Sequence, residues 1–393
     1  MVTMKIGKLP LLAKIALAIV LGILCSLFFP VWAVRIFETF NSIFSNFLGM
    51  FIPLLILGLV APAIADLGRN AGKLLGITVV LAFVSTILSG FISYFACDLS
   101  FPYLISDNIG AFDNMDEAAG IKPYFTLEMP AFINVVTALV TAVLLGLGCA
   151  AVEGQPLKSA LDGFGKIIAF VIDKIMIPAL PLYIYGLFLK MGVEGTVLSV
   201  LSVFVKIILV IIALHLGVLL LQFVIAGAVS GKNPFKALWT MLPAYATALG
   251  TQSSAATIPV TLRCTKALGV NPQIASFTIP LCATVHMPCS ILKVVACTYA
   301  VAFATGMNVE LSVFASFIIM LSVTMVAAPG VPGGAIMAAL GVISSVFGFD
   351  AGMQGLIIAI YIAIDSFGTA GNVTGDGALS LIVNRFSKSA AQA

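Results

Sequence analysis

Two stretches decide how this chain folds: Gly250-Thr251-Gln252-Ser253-Ser254-Ala255-Ala256 and Ala328-Pro329-Gly330-Val331-Pro332-Gly333-Gly334. Each lies in the middle of a run without charge, 237–262 and 311–349. The second run is 39 residues long, roughly twice the ~20 residues that one membrane-crossing helix needs at about 1.5 Å per residue. Prolines and glycines at its centre exclude a straight helix. Polar, small residues like those central to the first run are tolerated at membrane depth only when protein shields them or they line a wet cavity. Two helical hairpins with non-helical tips account for both runs. A further hydrophobic segment follows each, 272–303 and 351–384. The C-terminal part therefore reads hairpin, span, hairpin, span, with successive units entering from opposite faces. Paired broken segments of this kind point to a transporter site at the bilayer midplane.

Composition supports lipid surroundings. Of 393 residues, 61% are hydrophobic and 9% charged, against about a quarter charged in soluble domains. The 35 glycines and 18 prolines suit kinked or closely packed spans. Earlier spans are read at 15–34, 39–65, 74–97 and 129–152, followed by a more amphipathic pair at about 163–190 and 197–228. The N-terminus has the look of a signal peptide, with Lys5, Lys8 and Lys14 before an apolar run and Val31-Trp32-Ala33 after it. The uncharged run from Ile15 to Val34 is 20 residues long, enough to span, and is read as the first membrane helix. Between 97 and 129 lies an acidic loop with Asp98, Asp107, Asp113, Asp116, Glu117 and Glu128, suited to the outer face. With both termini inside, thirteen Lys and Arg fall on the cytoplasmic side and only Arg35, Lys122 and Lys190 outside, a strong positive-inside bias.

Net charge is +3 and the basic residues are scattered, so nucleic-acid binding has no support. Seven cysteines lie mostly in apolar segments without CxxC pairing and read as small hydrophobes. The fold class is an all-α polytopic membrane protein with eight transmembrane helices and two re-entrant helical hairpins. Four parts are expected: scaffold helices at 1–73, a third helix with the acidic external loop at 74–128, helices 4–6 at 129–236, and a transport core at 237–388.

The final segment carries Asp365, Gly368, Thr369, Asn372 and Asp376. Steps of three and four residues place them on one helix face. A charged Asp at a helix centre costs about 2.5–3.5 kcal/mol or more in lipid, so the stripe needs cations, donors or water. A polar seam that merely glues helices is the bland alternative. The Gln252-Ser253-Ser254 tip offers hydroxyls and the N–H groups of a half-helix starting at about Ala256, which favour a carboxylate; the alternative is a tight crossing of small residues. The Pro-Gly-Val-Pro-Gly-Gly tip suits a gate. A channel wants a ring of like groups along a pore, whereas here polar residues gather at one level. No nucleophile–base pair or metal cluster suggests an enzyme.

Four stretches carry a resemblance: Gln-Ser-Ser-Ala-Ala-Thr-Ile-Pro-Val at 252–260, Ala-Thr-Val-His-Met-Pro at 283–288, Gly-Val-Pro-Gly-Gly-Ala-Ile-Met at 330–337 and Asn-Val-Thr-Gly-Asp at 372–376. In order and spacing they resemble the signature stretches of the dicarboxylate/amino acid:cation symporter family, which includes the glutamate transporters. The resemblance implies a cation-coupled secondary transporter, a homotrimer in the bacterial cytoplasmic membrane with a static scaffold and a mobile unit working as an elevator. It needs no cofactor beyond a co-transported cation such as Na+. By position, Ser253 and Ser254 with Val331 and Gly333 of the second tip would hold the substrate carboxylate, joined by Asn372. Asp365 would take an amino group, with Gly368 and Thr369 beside it. Asp376 and Asn372 would serve a sodium ion, and Ser85 and Thr86 match hydroxyls of another sodium site.

The departures bear on substrate and ion. Relatives that take acidic amino acids or dicarboxylates usually carry Arg where Gly368 stands, so a second carboxylate lacks its bidentate partner. A small, neutral amino acid is expected, with a dicarboxylate or acidic amino acid as the alternative and a channel-like or non-transporting relative as a further one. The usual Asn-Met-Asp reads His286-Met287-Pro288, removing oxygen ligands that a hard cation needs. His286 is suited to proton coupling, or else is a neutral hydrogen-bond donor. Lys293 is expected to stand in for a lost cation by pairing with Asp365 or Asp376; the alternative is snorkelling to the interface. His215 reads as a packing histidine.

Overall fold

The computed structural model describes residues 10–69, 73–105, 121–152, 155–307, 309–326, 328 and 332–391. Helices dominate throughout. The N-terminal half contains α1 (Leu11–Ser26), α2 (Val31–Arg69), α3 (Lys73–Leu104), α4 (Val135–Ala151), α5 (Gln155–Val171), α6 (Ile177–Val193) and α7 (Val197–Ser230). The C-terminal half contains α8 (Pro234–Thr251), α9 (Ser254–Ala267), α10 (Pro272–Val285), α11 (Pro288–Ala304), α12 (Leu311–Met325), α13 (Gly334–Phe347), α14 (Ala351–Ala363) and α15 (Asp365–Ala391). Among the described residues, five helical stretches are long and apolar enough to cross a membrane: Val31–Asp66, Leu74–Leu104, Pro156–Val193, Val197–Ser230 and Pro272–Ala304. This is an integral membrane architecture.

Local chemistry sets the boundaries. The run read as one helix over 15–34 divides instead after Ser26, because Pro30 ends α1 and lets α2 begin at Val31. The segment expected from 129 begins its helix only at Val135, where the Asn134 side chain accepts from the Thr137 N–H at 2.8 Å; this is an N-cap. A π-turn at Ile172–Met176 joins α5 to α6 ahead of Pro178, which has no N–H to continue the ladder. Of the acidic loop, residues 106–120 lie outside the described residues.

Two groups of packed helices result. In one, α2 lies along α4, α5 and α6, and α1 lies against α6. Here Arg35 donates to the Lys122 carbonyl at 2.9 Å and sits 4.3 Å from the Tyr124 ring centre, while Lys190 pairs with Glu38 at 3.2 Å. Arg35, Lys122 and Lys190 are thus tied to α2 and its neighbours. In the other group, α3 and α7 pack onto α11 and α15, and α8 packs with α9 as α12 does with α13. The groups meet where α13 touches α2 and α4, and where α14 touches α1 and α6.

Close approach in the first group depends on a small residue. A Cβ at Gly146 of α4 would stand 2.8 Å from the Ala61 carbonyl oxygen and 2.7 Å from Ile64 Cβ of α2. Helices packing in lipid gain from such contacts. Gly146→Leu is therefore expected to destabilise the protein by about 1–3 kcal/mol through overpacking. Thermal melting of the detergent-solubilised variant measures this, and an unchanged midpoint would contradict the close crossing.

Candidate functional site

Two helix breaks build the site. Residues 272–303, expected as one span, are interrupted at His286 and Met287, between α10 and α11. Pro288 opens α11, and a residue before proline is pushed out of the helical region. Backbone groups freed at the break find side chains on other helices. The Met287 N–H donates to Thr86 Oγ1 of α3 at 3.3 Å, and the Cys289 N–H donates to Asn372 Oδ1 of α15 at 2.8 Å. His215 Nε2 of α7 lies 3.0 Å from the Cys289 carbonyl oxygen, so this histidine is a packing partner of the break.

The second break is at Ile364. The segment 351–384, expected as one helix, bends by 59° there and restarts at Asp365. Asp365 therefore stands at the first turn of α15 rather than in a helix centre, which lowers its cost. From that turn, Gly368, Thr369, Asn372 and Asp376 follow on the same helix.

The two carboxylates each meet one basic side chain. Asp365 Oδ1 lies 2.5 Å from the Lys293 ammonium, and Oδ2 accepts from the Gly333 N–H at 2.8 Å. Lys293, on α11, is fully buried, and its ammonium also lies 3.7 Å from the Tyr361 ring centre. Thr369 returns its hydroxyl to the Asp365 carbonyl at 3.1 Å. At the other end, Asp376 Oδ1 lies 2.8 Å from His286 Nδ1, whose Nε2 is 3.0 Å from Ser85 Oγ. Between the two ends, the Asn372 amide donates to Ser290 Oγ at 2.8 Å. Buried ions need such partners, since leaving one unpaired is severe.

A side chain at Gly368 would crowd Lys293. A Cβ there would stand 2.6 Å from the Lys293 ammonium and 2.9 Å from its Cε. Lys293 fills the room that a side chain at 368 would need.

The first tip is held by its own groups. Ser253 caps α9 by accepting from the Ala256 N–H at 3.3 Å, and Thr257 donates to the Ser253 carbonyl at 2.8 Å. The half-helix starts at Ser254, two residues ahead of the expected Ala256. Ser253 and Ser254 are half-buried, and both α8 and α9 pack on α15. At the second tip, Gly333 reaches Asp365 directly, whereas Val331 lies outside the described residues.

Several partners escaped the sequence reading. Gln222 of α7 donates to Ser85 Oγ at 3.0 Å, and a lone amide inside a long apolar helix was a legible signal. Tyr361, four residues before Asp365, stood at a helical-neighbour spacing that the reading did not use, while Ser290 had no signal, since its partner Asn372 lies 82 residues away. A largely apolar cavity of about 350 Å³ between α3, α7 and α15 is lined by Ser85, Gln222 and His286 among its few polar residues.

The two acid–base pairs thus lie in one buried polar seam between α15 and the broken α10–α11 pair, with Asn372 and Ser290 between them. A family model described as the sodium:dicarboxylate symporter family matches residues 11–386. The chain is similar to the serine/threonine transporter SstT of Acinetobacter baumannii (strain AYE), 28% identical over 385 residues, covering 94% of this chain and 95% of that protein. It is also similar to the serine/threonine transporter SstT of Streptococcus suis (strain 05ZYH33), 28% identical over 340 residues, covering 84% of this chain and 93% of that protein.

Proposed function

The chain belongs to the sodium:dicarboxylate symporter family, and from that premise we propose that it imports a small neutral amino acid, of the serine or threonine kind, together with a cation. The observation that carries this reading is the pairing at position 365: one carboxylate for an amino group, with glycine at 368 where a second substrate carboxylate would want a guanidinium. The similar serine/threonine transporters point to the same substrate class.

In this reading Asp365 takes the substrate ammonium. Ser253 and Ser254, Val331 and Gly333 of the two tips, and Asn372 take its carboxylate, with Gly368 and Thr369 beside the side chain. Backbone N–H groups at half-helix starts favour that carboxylate. The eight spans and two re-entrant hairpins surround the site. The division at 1–73, 74–128, 129–236 and 237–388 separates scaffold from transport core, which travels as an elevator within a homotrimer. The protein sits in a bacterial cytoplasmic membrane with both termini inside.

Cation coupling is assigned to the Asp376 end, with Asn372, Ser85 and Thr86 as oxygen donors. An imidazole between Asp376 and Ser85, at 2.8 and 3.0 Å, supports a second reading in which His286 carries a proton in place of one sodium ion. Hard cations ask for several oxygens at once, and here a nitrogen stands between two of them.

Purified protein in liposomes, given a panel of amino acids and dicarboxylates under imposed sodium or proton gradients, tests the proposal. Saturable uptake of neutral amino acids driven by one gradient is expected. Preference for dicarboxylates, or flux that does not saturate, would reject it.

A further inference from the structure

We infer that Lys293 is a tethered substitute for the substrate's amino group: it closes the empty site on Asp365 and is displaced when a zwitterion binds. The inference rests on the proposed transport function and assigns the device that lets the empty carrier return.

The geometry is specific. Lys293 is fully buried and lies 2.5 Å from Asp365 Oδ1, the carboxylate proposed to receive a substrate ammonium. The same carboxylate is held at its other oxygen by the Gly333 N–H of the second tip, at 2.8 Å. A primary ammonium, the group a substrate would offer, thus already sits on Asp365 with the tip drawn onto it. The Tyr361 ring, 3.7 Å away, supports the cation from one side. The missing side chain at Gly368 leaves the lysine its room.

With Asp365 and Lys293 paired, this end of the empty centre is neutral and can move through the bilayer. An unpaired carboxylate there would oppose that movement. A zwitterion adds no net charge: its ammonium replaces Lys293 on Asp365, and its carboxylate compensates the released lysine. Apart from the co-transported cation, this centre therefore carries equal charge empty and loaded, and the return step needs no counter-transported cation. An acidic amino acid would leave one negative charge uncompensated and a dicarboxylate two, so the single lysine is too little positive charge for either.

Lys293→Met separates this from a purely structural ion pair. Net uptake into empty liposomes requires the empty unit to return, whereas exchange of labelled for unlabelled amino acid does not. The variant is expected to raise the ratio of exchange to net uptake at least about tenfold: in its loaded unit the substrate ammonium still pairs Asp365 and the two tips and Asn372 still receive the substrate carboxylate, whereas its empty unit carries Asp365 stranded. Net uptake and exchange falling in parallel, or neither falling, would overturn the inference. Exchange also reports that the variant is folded. Should the unaltered protein neither take up nor exchange any amino acid, the transport function itself fails, which is a different result.

Discussion

Replacing Asp365 by Asn is expected to reduce amino acid uptake by at least about a hundredfold and to lower the melting temperature as well. Two effects share one cause. Asn keeps the size of the side chain but removes the charge that a substrate ammonium needs, and hydrogen bonds to charged groups contribute about 1.5–3 kcal/mol each. It also leaves Lys293, fully buried, without the carboxylate 2.5 Å away, and breaking a buried pair on one side costs about 3–5 kcal/mol. The double change Asp365→Asn with Lys293→Met separates the two. Removing both charges relieves the stranded ammonium, so the melting temperature should recover while uptake stays lost. Recovery of uptake in the double variant would show that Asp365 serves the fold alone.

The second large effect is a change of substrate. Gly368→Arg by itself should inactivate the carrier, because a Cβ at 368 already falls 2.6 Å from the Lys293 ammonium and two cations would share one buried space. Combined with Lys293→Met, the guanidinium gains room and restores a positive charge near Asp365. Preference for an acidic amino acid or dicarboxylate over a neutral amino acid should then rise at least about tenfold, equivalent to ~1.4 kcal/mol, through bidentate pairing. Competition of each substrate class against labelled neutral amino acid measures it. A double variant that still prefers neutral substrates would place specificity elsewhere in the site.

Much of this was legible without coordinates. Two uncharged runs with polar or proline–glycine centres marked the paired broken helices, since lipid permits non-helical backbone only where protein or water satisfies it. Asp365, Asn372 and Asp376 were legible because acids and amides in apolar segments are rare and need partners. Gly368 was legible as a departure, although the reason for it was not. The breaks at Met287 and Ile364 were missed within segments read as continuous. Pro288 was in plain view, but no residue type at 364 signals a bend; α14 ends at Ile364, beside the Asp365 that meets Lys293 and Gly333.

The sequence by itself determined the membrane class, the two broken helix pairs and the acidic stripe, because these follow from local rules of hydrophobic length, backbone hydrogen bonding and helical spacing. Only the tertiary structure decided which base meets which acid: Lys293 with Asp365, and His286 with Asp376. Those partners lie 72 and 90 residues apart in the chain, and no periodicity reaches so far. The choice between them is made by helix packing, which brings each buried carboxylate within hydrogen-bond reach of one basic side chain.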